Sequence, residues 1–283
     1  MKAVAEALPV DGLPLWTRQV SAVIGSEMGK MLTTRSGLLA VFLALLPVLL
    51  AVVIGVADRY GEPVAGTVDG ARRLFSILYS GFILGGVIFI GSAAIFSTLF
   101  RGEILGRSMH YYLLSPIRRE ALVAGKFAAG YIIAVLLFGL ATCLSYLLMY
   151  MPFGVGALVN DIASGRLLDQ MFSYLGITLL ATLGYGAIFL VTGLLFRNPL
   201  LPVAAVAGWE LIHFLLPPVL KSVGVIYYVK GLLPVPLDDG PLAVVVAAPP
   251  VGVAVFALTA LAVVCLGLTS WLVKRLEVDY AGE

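Results

Sequence analysis

The sequence predicts an all-α membrane protein with six spans, and three observations carry that prediction. Hydrophobic residues make up 61% of the 283-residue chain and charged residues only 12%, about half the share found in water-soluble domains. A soluble fold of this size has too little interior to hide so much apolar side chain. The apolar residues also fall in runs of about 20, the length at which an α-helix crosses the hydrocarbon layer. Third, the charges sit between those runs rather than within them.

The elements follow in order. Residues 1–37 are mixed in polarity and read as a segment ahead of the membrane domain. With no small-x-small cleavage site after the first apolar run, that run is expected to stay in the mature protein. The spans are expected at Leu38 to Ala57, Ile77 to Leu99, Phe127 to Met151, Phe172 to Phe196, Pro199 to Leu220 and Val251 to Val273. The fifth is opened by Pro199 and Pro202 and closed by Pro217-Pro218. Pro249-Pro250 breaks any helix that would enter the sixth from upstream. The apolar fragments between spans five and six are too short to cross, so re-entrant or interfacial pieces are expected there. The chain thus reads as one membrane domain over residues 38–273 with a tail over residues 274–283, and no internal repeat stands out.

Six spans put both termini on one side, and the distribution of Lys and Arg decides which. The segments on the side of the N-terminus hold Lys2, Arg18, Lys30, Arg35, Arg101, Arg107, Arg118, Arg119, Lys126, Arg197, Lys274 and Arg275. The opposite segments hold Arg59, Arg72, Arg73, Arg166, Lys221 and Lys230. Twelve against six places both ends in the cytoplasm of a cytoplasmic (inner) membrane. A net charge of +2 without a basic-aromatic ladder gives no nucleic-acid surface. Cys143 and Cys265 lie in apolar runs, where a thiol acts as a small hydrophobe and implies no disulfide framework.

One cytoplasmic stretch, residues 100–126, stands out as a charged island between apolar runs. On a helical wheel, Ile104, Leu105, Met109, Tyr112 and Leu113 share one half, and Glu103, Arg107 and His110 the other. Glu103 precedes Arg107 by four residues, the favourable order for a helical ion pair. Ser115-Pro116 then supplies an N-cap and a proline at N1 for a second helix running through Arg118, Arg119 and Lys126. This pattern is compatible with a helix lying on anionic headgroups and with a helix that docks on a partner protein. Periodicity does not separate the two. Gly125-Lys126 is not a P-loop, because Glu120 stands where the first glycine is needed and Phe127 where the hydroxyl is needed.

"GWELIHF" puts Glu210 and His213 on one face in the middle of span five. Carboxylates at that depth are costly and face a bundle interior or water. Three readings stay open: a hydrogen-bonded structural pair, a substrate or proton path, and a metal site, which would need further carboxylates that no other span offers. Gly81-x-x-x-Gly85 can let helices pack closely. Tyr146, Tyr150, Tyr174 and Tyr185 can line a cavity or serve as core aromatics.

The stretch "RGEILGRSMHYYLLSPIRREALVAGKFAAGYI" resembles the loop between spans two and three of ABC-2 type exporter permeases. The features carrying the resemblance are Glu103, Gly106, Leu113-Leu114, Ser115-Pro116, Arg118 or Arg119, and Gly125-Lys126, with a departure at Arg107-Ser108. "WTRQVSAVIGSEMGKMLTTRSGLLAVFLALLPVLL" resembles the same family's amphipathic interfacial helix leading into span one, with Glu27, Lys30, Arg35 and Pro47 in familiar places. The resemblance implies a permease that works as a dimer, expected to be a homodimer, with two copies of an ATPase subunit holding the ATP and Mg²⁺. No cofactor or catalytic residue is expected in this chain itself. It also implies that the island is a coupling helix, presenting Glu103, Arg107, His110 and Gly106 to the ATPase. The alternatives are a gradient-driven carrier and a membrane-embedded enzyme using Glu210 and His213.

Overall fold

The computed structural model describes residues 13–61, 64–106, 117–196, 198–235, 237 and 248–275. Among these residues every regular element is helical. Helix α1 (Leu13–Met31) is followed by α2 (Arg35–Tyr60), which Thr34 starts by accepting a hydrogen bond from the Gly37 N–H on its hydroxyl, at 3.2 Å. Helix α3 (Val68–Leu78) runs into a π-helical segment, Tyr79–Ile88, and on into α4 (Phe89–Leu105). Then come α5 (Arg119–Leu148), α6 (Gly154–Ala163), α7 (Arg166–Leu195), α8 (Leu200–Leu211), the short α9 (Pro218–Lys221) and α10 (Val225–Lys230), and α11 (Val251–Lys274).

Five stretches are long and apolar enough to cross a membrane: Arg35–Tyr60, Val68–Leu105, Arg119–Ala163, Arg166–Leu195 and Val251–Lys274. The way they bury their residues identifies the surrounding solvent. In α2 the buried positions are Gly37, Ala40, Ala44, Pro47, Ala51 and Gly55, all small or ring-closed, at helical spacing. The opposite face exposes Leu38, Phe42, Leu45, Leu49, Val53 and Val56. Water would reverse that arrangement, whereas lipid permits it, because close backbone approach then supplies the packing. Helix α11 repeats the pattern, burying Ala254 and Ala262 while exposing Val251, Phe256 and Val264.

The core lies between α4, α5 and α7. A side chain at Gly193 of α7 would put its Cβ 2.6 Å from the Ser97 Cα of α4, and one at Gly186 would come 2.7 Å from the Phe96 ring. These glycines form the seam, and Gly91 does the same against Phe138 of α5. Gly81 does not, since a Cβ there would meet nothing within 4 Å. Gly81 and Gly85, in the π-helical segment, are both exposed and make no close helix contact within this chain.

Side-chain contacts define the two ends of the bundle. At the end carrying the charged island, the Thr98 hydroxyl bonds Ser36 at 3.1 Å, joining the end of α4 to the start of α2. There the Arg119 guanidinium also donates to the carbonyls of Val273 and Lys274 at 3.0 and 2.6 Å, joining the start of α5 to the end of α11. At the opposite end the Ser76 hydroxyl donates to the Val235 carbonyl at 2.9 Å.

Two expectations change. The fifth expected span, Pro199 to Leu220, is not a continuous helix: α8 stops at Leu211, a 3-10 turn covers His213–Leu215, and Pro217-Pro218 opens α9. At 12 residues α8 extends only about 18 Å. Helix α4 closes at Leu105 with Gly106 as its C-cap, and the second helix, expected to follow Ser115-Pro116, is α5, which starts at Arg119 with Arg118 as its N-cap. Arg107, His110, Tyr112, Leu113, Ser115 and Pro116 lie outside the described residues.

Candidate functional site

The island end is organised around Lys126, on the second turn of α5. Its side chain is fully buried, with 0% relative exposure. The ammonium donates to Glu27 Oε1 of α1 at 2.9 Å, to Glu103 Oε1 at the end of α4 at 2.7 Å, and to the Leu99 carbonyl at 3.3 Å. The Phe100 ring lies 5.5 Å from the ammonium, close enough for a cation–π contact. Three segments far apart in sequence are therefore held by one cation: the N-terminal helix, the end of α4 where the island begins, and the start of α5 where it ends. Gly125, next to Lys126, lets α1 approach so closely that a Cβ there would sit 2.7 Å from Val23 Cβ. The Gln19 side chain receives the Arg118 N–H at 3.2 Å, a further tie between α1 and the chain entering α5.

Of the residues expected on the exposed coupling face, Glu103 turns toward Lys126, while Arg107 and His110 lie outside the described residues. Gly106 closes α4, its N–H donating to the Gly102 carbonyl at 2.9 Å. Of the apolar half of the island helix, Ile104 packs on the core while Leu105 is exposed, and Met109, Tyr112 and Leu113 lie outside the described residues.

A second buried charge occupies the opposite end. Arg72 of α3 pairs with Asp69 and with Asp161 of α6, and its Nε donates to the Tyr150 hydroxyl at 3.3 Å. The Tyr150 hydroxyl donates to Asp161 at 2.8 Å and lies 3.3 Å from the Tyr146 hydroxyl, which donates to Gln170 at 2.6 Å. Tyr79, Tyr146 and Tyr174 pack with Phe75 below this cluster, with ring centroids 4.6 to 6.1 Å apart. Tyr146, Tyr150 and Tyr174 are accordingly core aromatics. Sequence alone did not single out Arg72 or Asp161, because an arginine after a predicted loop looks like an ordinary outer charge.

Glu210 and His213 meet, but not as the sequence implies. His213 Nδ1 contacts the Glu210 carbonyl oxygen at 3.0 Å. The Glu210 carboxylate instead accepts the Val225 N–H at 2.9 Å and the Ile226 N–H at 3.3 Å, satisfying the start of α10, and the Tyr185 hydroxyl also reaches it. The break after Leu211 separates the two side chains, since His213 falls in the 3-10 turn. No group of three or more His, Cys, Asp or Glu with metal-holding geometry occurs among the described residues.

The comparisons give one family. The sequence model described as "ABC-2 family transporter protein" matches residues 23–207, well over half of the chain. The match runs from within α1 to within α8 and takes in Glu27, Glu103 and Lys126. No curated protein matches the chain.

Proposed function

We propose, starting from the fact that this chain belongs to the ABC-2 family of transporter proteins, that it is the permease subunit of an ATP-driven exporter. Subunits of this family carry transport and are not themselves catalytic, and an ABC ATPase partner is general to them. In the proposed assembly two such chains form a homodimer in the cytoplasmic membrane, flanked by two ATPase subunits that hold ATP and Mg²⁺. The island, residues 100–126, acts as the coupling segment.

The Lys126 cluster is the observation that carries this reading. Movement imposed on the island is delivered to the end of α4 and the start of α5, the two segments that Lys126 ties to each other and to α1. Because a buried charge cannot be left unpaired without a cost of about 3–5 kcal/mol, the three helices move together or the cluster re-pairs. Lys126 is itself no phosphate ligand, being enclosed by two carboxylates.

Six crossings, with both termini in the cytoplasm, are supported by parity. Helix α7 ends where Gly193 meets Ser97, near the island end. Val235 bonds Ser76 at the opposite end, and α11 returns to the island end at Val273 and Lys274. The chain between α7 and Val235 therefore makes the fifth crossing in pieces, through α8, α9 and α10.

The test is affinity capture of the full tagged chain from mild detergent, with ATP hydrolysis assayed in the eluate. A P-loop ATPase with hydrolytic activity is expected to come down with it. Intact chain with neither ATPase nor hydrolysis would overturn the reading.

A further inference from the structure

Among the described residues, buried carboxylates fall in three places that differ in what balances their charge. Glu27 and Glu103 share Lys126, and Asp161 has Arg72. Glu210 is buried as well, yet among the described residues no lysine, arginine or histidine side chain pairs with it, and its donors are two main-chain N–H groups and a phenol, all neutral. A carboxylate has roughly four acceptor positions, so these donors leave capacity.

Beside this carboxylate lies a cavity of about 320 Å³, lined by Ile188 of α7, Ala205, Val206, Trp209 and Glu210 of α8, and Gly224. Apart from Glu210 and the indole N–H of Trp209, its lining is apolar. That N–H is buried without a hydrogen-bond partner, and an ammonium, itself only a donor, would not supply one, so the fit rests on Glu210 and the apolar walls. The volume is at the low end of small-ligand pockets, which run from about 300 Å³ upward. Glu210 lies about 15 Å along α8 from Leu200, so the cavity is at mid-membrane depth, beside a helix whose Leu200, Leu201 and Leu211 face outward. An inorganic cation would find only one carboxylate here, whereas hard cations take six or more oxygens. An apolar body entering from the lipid, with a head that brings positive charge and N–H donors to the carboxylate, fits both the walls and the charge, and Trp209 beside it is the best aromatic platform for a cation.

We propose that this cavity binds a cationic amphiphile of the alkylammonium class, the ammonium pairing with Glu210 and resting against Trp209. The proposal is independent of the exporter reading, since it needs no ATPase partner.

The experiment uses the full chain in phosphatidylcholine nanodiscs, with Trp16→Phe and Trp271→Phe so that Trp209 is the only indole. Decylamine, decanol and decanoate are titrated against its fluorescence. Decylamine is expected to give a saturable change at a concentration about tenfold or more below the other two, the size of one charge-assisted hydrogen bond. Glu210→Gln, which keeps an oxygen for the α10 N–H groups, is expected to weaken decylamine by about the same tenfold. Ala205→Phe, which fills the cavity and leaves the carboxylate in place, is expected to abolish the response and decides alone if Glu210→Gln does not fold. Equal responses to decanol and decylamine, or an undiminished decylamine response in either variant, would overturn the proposal and leave the cavity to lipid tails or a second copy of the chain.

Discussion

Lys126 at the island end and Arg72 at the opposite end are each buried beside two carboxylates, and their partners come from different places. Lys126 draws both from remote segments, Glu27 of α1 and Glu103 of α4. Arg72 takes one from its own helix, Asp69, and one from afar, Asp161, with Tyr150 closing the ring. The chemistry differs accordingly. A lysine ammonium is a compact charge with three rotatable donors and can shift its weight from one carboxylate to another, while an arginine fork fixes its partners in a plane. The ion pairs at the island end can thus re-pair more readily than those at the opposite end, an asymmetry that the proposed drive from the island side would use.

The largest expected effect would break this comparison at its stronger point. Lys126→Ala removes the buried cation between Glu27 and Glu103 and should cost about 3–5 kcal/mol, read as a lowered Tm of the purified protein in detergent. A Tm within a degree of wild type would mean the cluster is solvated and the contrast false. Next, Asp161→Asn should cost about 1–3 kcal/mol, because the Arg72 charge loses its buried counter-charge. Asp69→Asn, whose side chain is 84% exposed, should cost under about 1 kcal/mol. Equal costs would show that the arginine is held locally and not across the bundle. Arg72→Lys should fall between, at about 1–2 kcal/mol, since the charge stays while the fork is lost. Smallest is Glu120→Gln, which breaks the half-exposed pair with Lys274. It should change stability by about 0–1 kcal/mol, and less at high salt.

Much of the fold was legible because lipid imposes a simple code. Runs of about 20 apolar residues have few alternatives to crossing, and the sixth expected span, Val251 to Val273, differs from α11 by a single residue. The fifth failed as a continuous helix where prolines accumulate, because hydropathy does not register the breaks they impose. Glu210 was legible as a buried carboxylate of interest, but its partners were not: they are main-chain N–H groups 15 and 16 residues ahead, which carry no sequence signal. The Lys126 cluster was hidden for a related reason. Glu27, Glu103 and Lys126 each look like surface charges near a membrane boundary, and only the approach of α1 over Gly125 brings them together. Seam glycines such as Gly193 cannot be told from the chain's other glycines without the neighbouring helix.

The central claim is that nucleotide-driven movement of the island reaches α1 and α4 through Lys126. It is tested most directly by pairing a spin label at exposed Ser26 of α1 with one at exposed Val159 of α6, at the end that Arg72 holds, and measuring their separation in the complex with its ATPase, nucleotide-free and trapped with ATP and vanadate. The account predicts a distance distribution that shifts on trapping in wild type and shifts less in Glu103→Gln, where the ion pair is weakened without removing the side chain. Identical distributions in the two nucleotide states of the wild-type complex would contradict it.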